Sequence, residues 1–369
     1  MSDTLHVATR KGLFTYARNG SGWSPKHSAF VGDPVVNIVT DPRAGVMYAA
    51  LKHGHYGPKM HRSRDGGQTW EEIATPEYPP IPEGVEPYVN PMSNKPIPWK
   101  LVMVWELAID YKHAGGLWAG TLPGGLFHSK DHGDTWELNR PLWDRPERKH
   151  WFGGGYDEAG IHSVLTRPDK PDYLACGISC GGMWVSEDHG ETWTRKTDGM
   201  RANYMPPDQQ FDGNVQDPHI LTHCKSDPDT IWTQHHAGIF VTTDGGAQWE
   251  EIAQAGPSTF GFACAVHPED GRTAWFVPAK SDETRVPVDG KVVVTRTRDG
   301  GKSFEVLTRG LPQENAWDIV FRHGLALDDD GKTLAMGSTT GNLWASRDEG
   351  DSWEQLNGHL PPVYAVRFG

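Results

Sequence analysis

Histidines and carboxylates recur in this chain at places where an apolar run meets a glycine. His53 and His55 stand in K-H-G-H-Y-G, and Gln234, His235 and His236 in T-Q-H-H-A-G. Glu106 begins V-W-E-L-A-I-D's apolar stretch, while Asp157, Glu158 and His162 share G-G-G-Y-D-E-A-G-I-H-S. Asp217 and His219 share Q-D-P-H-I-L; Asp318 lies in A-W-D-I-V, and Arg322 and His323 lie in F-R-H-G-L. Two chemistries suit such side chains. In the first, Glu106 or Glu158 is a proton donor and Asp217 or Asp318 a base, the carboxyl pair that glycoside cleavage needs. His162 and His219 would polarise the substrate, and Arg322 would hold a substrate carboxylate. In the second, the imidazoles of His53, His162, His219, His235, His236 and His323 ligate Zn²⁺, Mn²⁺ or Fe²⁺, and the cation does the polarising. The chain has no H-E-x-x-H spacing, so such a ligand set would have to be drawn from separate elements. Each residue also has a plainer reading, since a lone loop histidine is more often a solvated or capping side chain. Trp99, Trp105, Trp143, Trp151 and Tyr156 could stack on sugar rings or pack the loops.

The elements that must gather these residues are announced by a repeat. S-R-D-G-G-Q-T-W (Ser63 to Trp70) returns as S-K-D-H-G-D-T-W, S-E-D-H-G-E-T-W, T-T-D-G-G-A-Q-W, T-R-D-G-G-K-S-F and S-R-D-E-G-D-S-W. Their closing aromatic residues are Trp70, Trp136, Trp193, Trp249, Phe304 and Trp353, a spacing that suits a four-stranded blade with variable insertions. A seventh copy without the aspartate runs from Gly12 to Trp23. In each repeat the aspartate can bond the backbone of its own turn and the glycine takes a positive φ. Asp65, Asp131, Asp188, Asp244, Asp299 and Asp348 are therefore expected to be structural.

The repeat resembles the Asp-box (BNR) motif of sialidases, sortilin-type propellers and related glycosidases, over nearly the whole chain. That resemblance implies an all-β fold: one domain over residues 1–369, a single seven-bladed β-propeller with four-stranded antiparallel blades. The C-terminal run Val363 to Phe368 reads as an innermost strand without a blade of its own. His6-Val7-Ala8, Leu13-Phe14-Thr15 and the segment after Trp23 read as its partners, so the two termini are expected to close one blade together. The resemblance also implies a carbohydrate-directed enzyme, but not a true sialidase: there is no R-I-P motif, and Arg10 and Arg322 are the only arginines at hand for a carboxylate triad. The mixture of His and Gln is similar in residue type to the metal centres of propeller-type oligogalacturonate lyases, which would abstract a proton beside a uronate carboxylate. Other Asp-box propellers, sortilin-like receptors and photosystem assembly factors, are binding or assembly modules, and that remains the non-catalytic alternative.

Strand alternation then assigns the faces. If the aspartate turns join the third and fourth strands, the long connections near 75–100, 139–160 and 196–216, and the loop 279–291, rise at the opposite strand ends together with the residues named above. Lys+Arg 35 against Asp+Glu 48 leaves a net charge of −13, which argues against nucleic acid as a partner and leaves a small molecule or oligosaccharide. The start M-S-D-T-L-H-V-A-T-R carries no apolar leader and no window is long and apolar enough for a membrane span. The four cysteines are thus expected to be reduced thiols of a cytoplasmic protein. Oligomeric state is left open.

Overall fold

The computed structural model describes residues 2–20, 22–153 and 156–369; Ser21 of the degenerate repeat and Gly154 and Gly155 of the G-G-G-Y run lie outside these. Among the described residues, the strands form seven four-stranded antiparallel sheets, the composition of a seven-bladed propeller. Numbered along the chain, their first strands (A) are Val35–Asp41, Met103–Asp110, Ile161–Thr166, Pro218–His223, Gly261–Val266 and Leu325–Leu327 for blades 1 to 6. Blade 7 has the order Val363–Phe368, Thr4–Thr9, Gly12–Asn19, Gly22–Ala29. The C-terminal strand is its A strand and the N-terminal segments are B, C and D, as the apolar runs predict. Its register pairs Val7 with Val366 and Ala8 with Ala365.

The chain groups into two compact units. Val36–Pro218 is one; Met1–Val35 with His219–Gly369 is the other. In the first, the core between the blade faces is built from Tyr48, Met60, Val104, Leu107, Leu117, Phe127 and Trp143, with a second cluster around Trp118, Ile161, Leu174 and Trp184. In the second, Trp275, Val294, Leu334, Met336 and Trp344 serve the same purpose, and Leu5, Val7, Leu343, Val363 and Val366 seal the shared blade. These sheets are buried on both faces, so their strands read as continuous apolar runs more than as alternations.

The repeated turn has one local geometry. Asp65 Oδ1 accepts from Ser63 Oγ at 2.8 Å and from the Thr69 amide at 2.9 Å, and Oδ2 accepts from Thr69 Oγ1 at 2.5 Å. The same bonds recur at Asp131, Asp188, Asp299 and Asp348. These donors hold the Asp65 and Asp299 carboxyls down at about 2, the Thr69 and Ser303 hydroxyls contributing most. The invariant second glycine is needed twice over. Gly133 has φ 87, and a Cβ there would fall 2.5 Å from Ile73 Cδ1 of the preceding blade. Each aspartate turn connects strands C and D, as the sequence predicts.

The run Ala316 to Val320 does not enter blade 6 as its inner strand; it belongs to the connection before it, and strand A begins only at Leu325. Asp318 is the reason. Its Oδ1 accepts from Ser338 Oγ at 2.6 Å, Asn342 Nδ2 at 2.7 Å and the Thr340 hydroxyl, so the segment is tied to the blade's B–C turn and does not extend along its edge.

Candidate functional site

At the strand ends opposite the aspartate turns, the A strands carry bulges. In blade 2 the register slips between Val104 and Glu106, leaving Trp105 as the extra residue. In blade 3 it slips between Ile161 and Ser163, leaving His162. In blade 5 it slips between Gly261 and Cys264. A bulge re-aims the side chain at its extra residue. Consecutive bulges therefore bring Trp105 and His162 edge to face with ring centroids 5.6 Å apart.

Within the unit Val36–Pro218, the predicted Glu106 follows the blade 2 bulge, His162 is the extra residue in blade 3, and Glu158 lies two residues past Tyr156, whose ring packs on Trp105. Glu106 sits in the middle of its strand, one residue past the bulge, and not at the strand's start. It is 9% exposed, and Asn37 Nδ2 donates to its Oε2 at 3.2 Å and to the Trp105 carbonyl at 3.0 Å. That amide fixes the carboxylate from the neighbouring blade. Glu158 is half-buried in the blade 2 to blade 3 connection. Burial, and then the adjacent Asp157 charge, push its carboxyl above the ordinary range. Tyr156 is 42% exposed, packs its ring edge-on to Trp105 at 5.3 Å, and receives the Lys52 ammonium over its face at 5.3 Å. Nearby on the same strand ends, Tyr56, Glu77, Trp99 and Lys100 line a cleft of about 290 Å³. Trp143 and Trp151, in contrast, are fully buried and serve packing. Asp217 is buried, and its Oδ1 accepts from the Cys180 amide at 3.1 Å. His53 lies outside any such cluster, edge-on to Tyr56 in the 3₁₀ turn that follows strand B of blade 1.

The second unit holds the remaining predicted residues. His219 stacks on Phe262 at 4.7 Å and 14°, bonds the Gly261 carbonyl through Nδ1 at 2.7 Å, and meets the His236 ring at 5.3 Å. His236 reaches Asp282 at 3.5 Å, and the Arg285 and Arg322 guanidinium groups lie 5.4 and 5.9 Å from the Phe262 ring centre. His219, His236 and Arg322 thus share one aromatic patch. His235 does something else: its Nδ1 accepts the Ala237 amide at 3.0 Å and its ring lies edge-on to Phe240 at 5.1 Å. His323 is buried in a 3₁₀ turn whose carbonyl accepts from Arg367. Asp318 is the turn anchor described above.

A further constellation, at the aspartate-turn ends of blades 2 and 3, was missed by reading function only into the long connections. Asp110, His113, His128 and His189 place one ligand atom each within 4.8 Å of the others. The available signal was His189 in the D-H-G of its aspartate turn, where three others read D-G-G.

No family model matches the sequence, and no curated protein matches it either. Solved structures do resemble it. The glycoside hydrolase family 74 xyloglucanase of Xanthomonas campestris is 18% identical with a TM-score of 0.63, over 100% of this chain and 52% of its own. This chain therefore spans about half of that enzyme's length. The periplasmic gluconolactonase of Pseudomonas aeruginosa is 14% identical, with a TM-score of 0.59 over 99% of this chain and 98% of that one. YCF48 bound to D1 peptide is 12% identical, with a TM-score of 0.53 over 94% of this chain and 93% of that one. These likenesses show the fold. The functions printed for the three differ, so the fold does not choose among them.

Proposed function

We propose that this protein is a hydrolase acting on a small glycan or a sugar-derived lactone at the strand ends opposite the aspartate turns. The observation that carries the reading is the contrast between two carboxyl groups, Glu106 next to the bulge residue Trp105 and Glu158 two residues past Tyr156, whose ring packs on Trp105. Glu158 holds its proton above the ordinary carboxyl range, while Glu106 is anchored by Asn37. Environments that treat two carboxyls differently make one an acid and the other a base. In glycoside cleavage Glu158 gives its proton to the departing oxygen, and Glu106 takes a proton from the water that attacks the anomeric carbon. Tyr156, exposed and edge-on to the buried Trp105, supplies an apolar face a sugar ring stacks on, and the cleft at Tyr56 and Trp99 offers room for a further residue. The fold is shared with a xyloglucanase and a gluconolactonase, which is consistent with this class and does not select within it.

The test is a screen of aryl glycosides, xyloglucan oligosaccharides and aldonolactones with wild-type protein, Glu158→Gln and Glu106→Gln. Turnover of one class by the wild type, lowered about 10²–10⁴-fold in each variant, is the expected result. Turnover unchanged in both variants would overturn the site. No turnover of any substrate would overturn the enzyme reading and favour a binding module.

One observation favours a second reading. The patch of His219, His236, Arg285 and Arg322 around Phe262 suits an anionic sugar, with His219 and His236 available to a Zn²⁺, Mn²⁺ or Fe²⁺ ion. The chemistry there would be lyase-type proton abstraction beside a carboxylate. Product carrying a new double bond, absorbing in the ultraviolet and lost in His219→Ala, would distinguish it from hydrolysis.

A further inference from the structure

At the aspartate-turn ends, two blades are clamped to the next by an arginine. In blade 1, Arg62 precedes the serine that opens the turn. Its guanidinium bonds Glu71 of its own blade, Asp134 at 3.0 Å and the His132 carbonyl at 3.0 Å in the next blade's turn. In blade 5, Arg296 repeats this with Glu305 at 2.6 Å, Asp351 at 2.7 Å and the Glu349 carbonyl at 2.8 Å. The position equivalent to these arginines in blade 2 is His128, and an imidazole cannot span both partners as a guanidinium fork does. A different arrangement stands there. Asp110, the last residue of strand A, is 1% exposed. Its Oδ2 is 2.7 Å from His113 Nδ1 and 2.9 Å from His128 Nε2, and its Oδ1 is 3.1 Å from His189 Nε2. His189 comes from the aspartate turn of blade 3 and holds φ 61, where three other turns use Gly66, Gly245 and Gly300. A side chain in the left-handed region is disfavoured relative to glycine, so the imidazole is placed there against the backbone's preference. The three rings lie 5.0 to 5.5 Å apart, and His128 stacks on Trp118 at 4.0 Å.

We infer that Asp110, His113, His128 and His189 bind a divalent transition metal, Zn²⁺ by preference, that ties blade 2 to blade 3. Three imidazole nitrogens and one carboxylate oxygen are a zinc donor set; Ca²⁺ and Mg²⁺ take oxygen ligands. Bonds of about 2.0–2.2 Å put tetrahedral ligand atoms roughly 3.3–3.5 Å apart, a small expansion of the Asp110–imidazole distances and within the 4.8 Å that bounds the set. The count of four protein ligands is that of a structural site, and the ion takes the place of the arginine clamp. The outer shell is in place as well: the Lys112 amide donates to Asp110 Oδ1 at 2.8 Å, and the Trp118 face orients His128. His113, one-third exposed, leaves a path for entry. The residues are separate from those of the proposed hydrolase site, so neither reading depends on the other.

The experiment uses untagged full-length protein stripped with a chelator, then titrated with Zn²⁺ against a chromophoric competitor and with Co²⁺ read by visible absorption. The comparison is His189→Gly, which removes one ligand while supplying the residue this turn uses elsewhere, so folding is spared. Wild type should bind one ion with the strong d–d bands of tetrahedral Co²⁺ and gain thermal stability from Zn²⁺. His189→Gly should bind that ion at least about 100-fold more weakly, lose the bands and show no thermal gain. Equal affinity and spectra in the two proteins, or no Zn²⁺ binding by the wild type, would overturn the site and leave a carboxylate-centred hydrogen-bond network.

Discussion

Single side chains set how this protein should respond to pH. In the proposed hydrolysis Glu158 acts only while protonated, and burial holds its carboxyl above the usual range. Activity should therefore fall as pH rises through that raised value, and Glu158→Gln should remove the basic limb along with most of the rate; a pH–rate profile of kcat/KM checks this. Stability has its own titrations. His6, buried in the shared blade with Nδ1 3.0 Å from Thr15 Oγ1, is lowered to about 4, chiefly by burial. Its folded state binds its proton later than the unfolded chain does. The contribution is therefore complete above about pH 6.5 and is lost as pH falls from there towards 4. The aspartate turns act in a lower window. Asp65 and Asp299 sit at about 2 in the fold, so their stabilisation is full above the ordinary carboxyl value near 4 and disappears as pH falls towards 2. Urea unfolding from pH 8 to 2 should show both limbs, with His6→Gln flattening the first and Asp65→Asn with Asp299→Asn flattening the second.

Elements decide how these residues are held. The C-terminal strand Val363–Phe368 supplies the inner edge of blade 7, with Val363, Ala365 and Val366 at most 1% exposed. Ending the chain at Pro362 removes that buried area and exposes the edge of Thr4–Thr9. At roughly 1.5–3 kcal/mol per large buried aliphatic side chain, the truncated protein should lose cooperative unfolding by circular dichroism. This element was legible in the sequence, because an unpartnered apolar run at one end matched three partnerless strands at the other. The aspartate turns were legible for the same kind of reason, each being a local solution repeated in full. What could not be read was where strand A of blade 6 begins. The Ala316 to Val320 run has strand composition, and only contacts with Ser338, Thr340 and Asn342, at least 20 residues away along the chain, hold it off the sheet. The roles of the histidines were hidden in the same way. His235 and His236 are adjacent, yet one ring lies against Phe240 and the other beside His219. The bulges at Trp105 and His162 leave no mark in composition, and they are what brings those two rings together.

Over the whole molecule, the excess of 48 acidic over 35 basic side chains predicts weak attraction for polyanions. No retardation of duplex DNA is expected at physiological salt in an electrophoretic shift assay. Four thiols are buried and unpaired with one another, so reductant should leave the thermal midpoint unchanged in a melting experiment. Among the described residues, no helix is long and apolar enough to cross a membrane. The seven-blade frame is common to proteins of different printed function, so the frame by itself does not choose an activity. The most direct measurement is a crystal structure with a bound oligosaccharide or aldonolactone. The account predicts density stacked against Tyr156, with a leaving-group oxygen within hydrogen-bond reach of Glu158. Density seated instead at the aspartate turns, or on a surface away from Glu106 and Glu158, would contradict it.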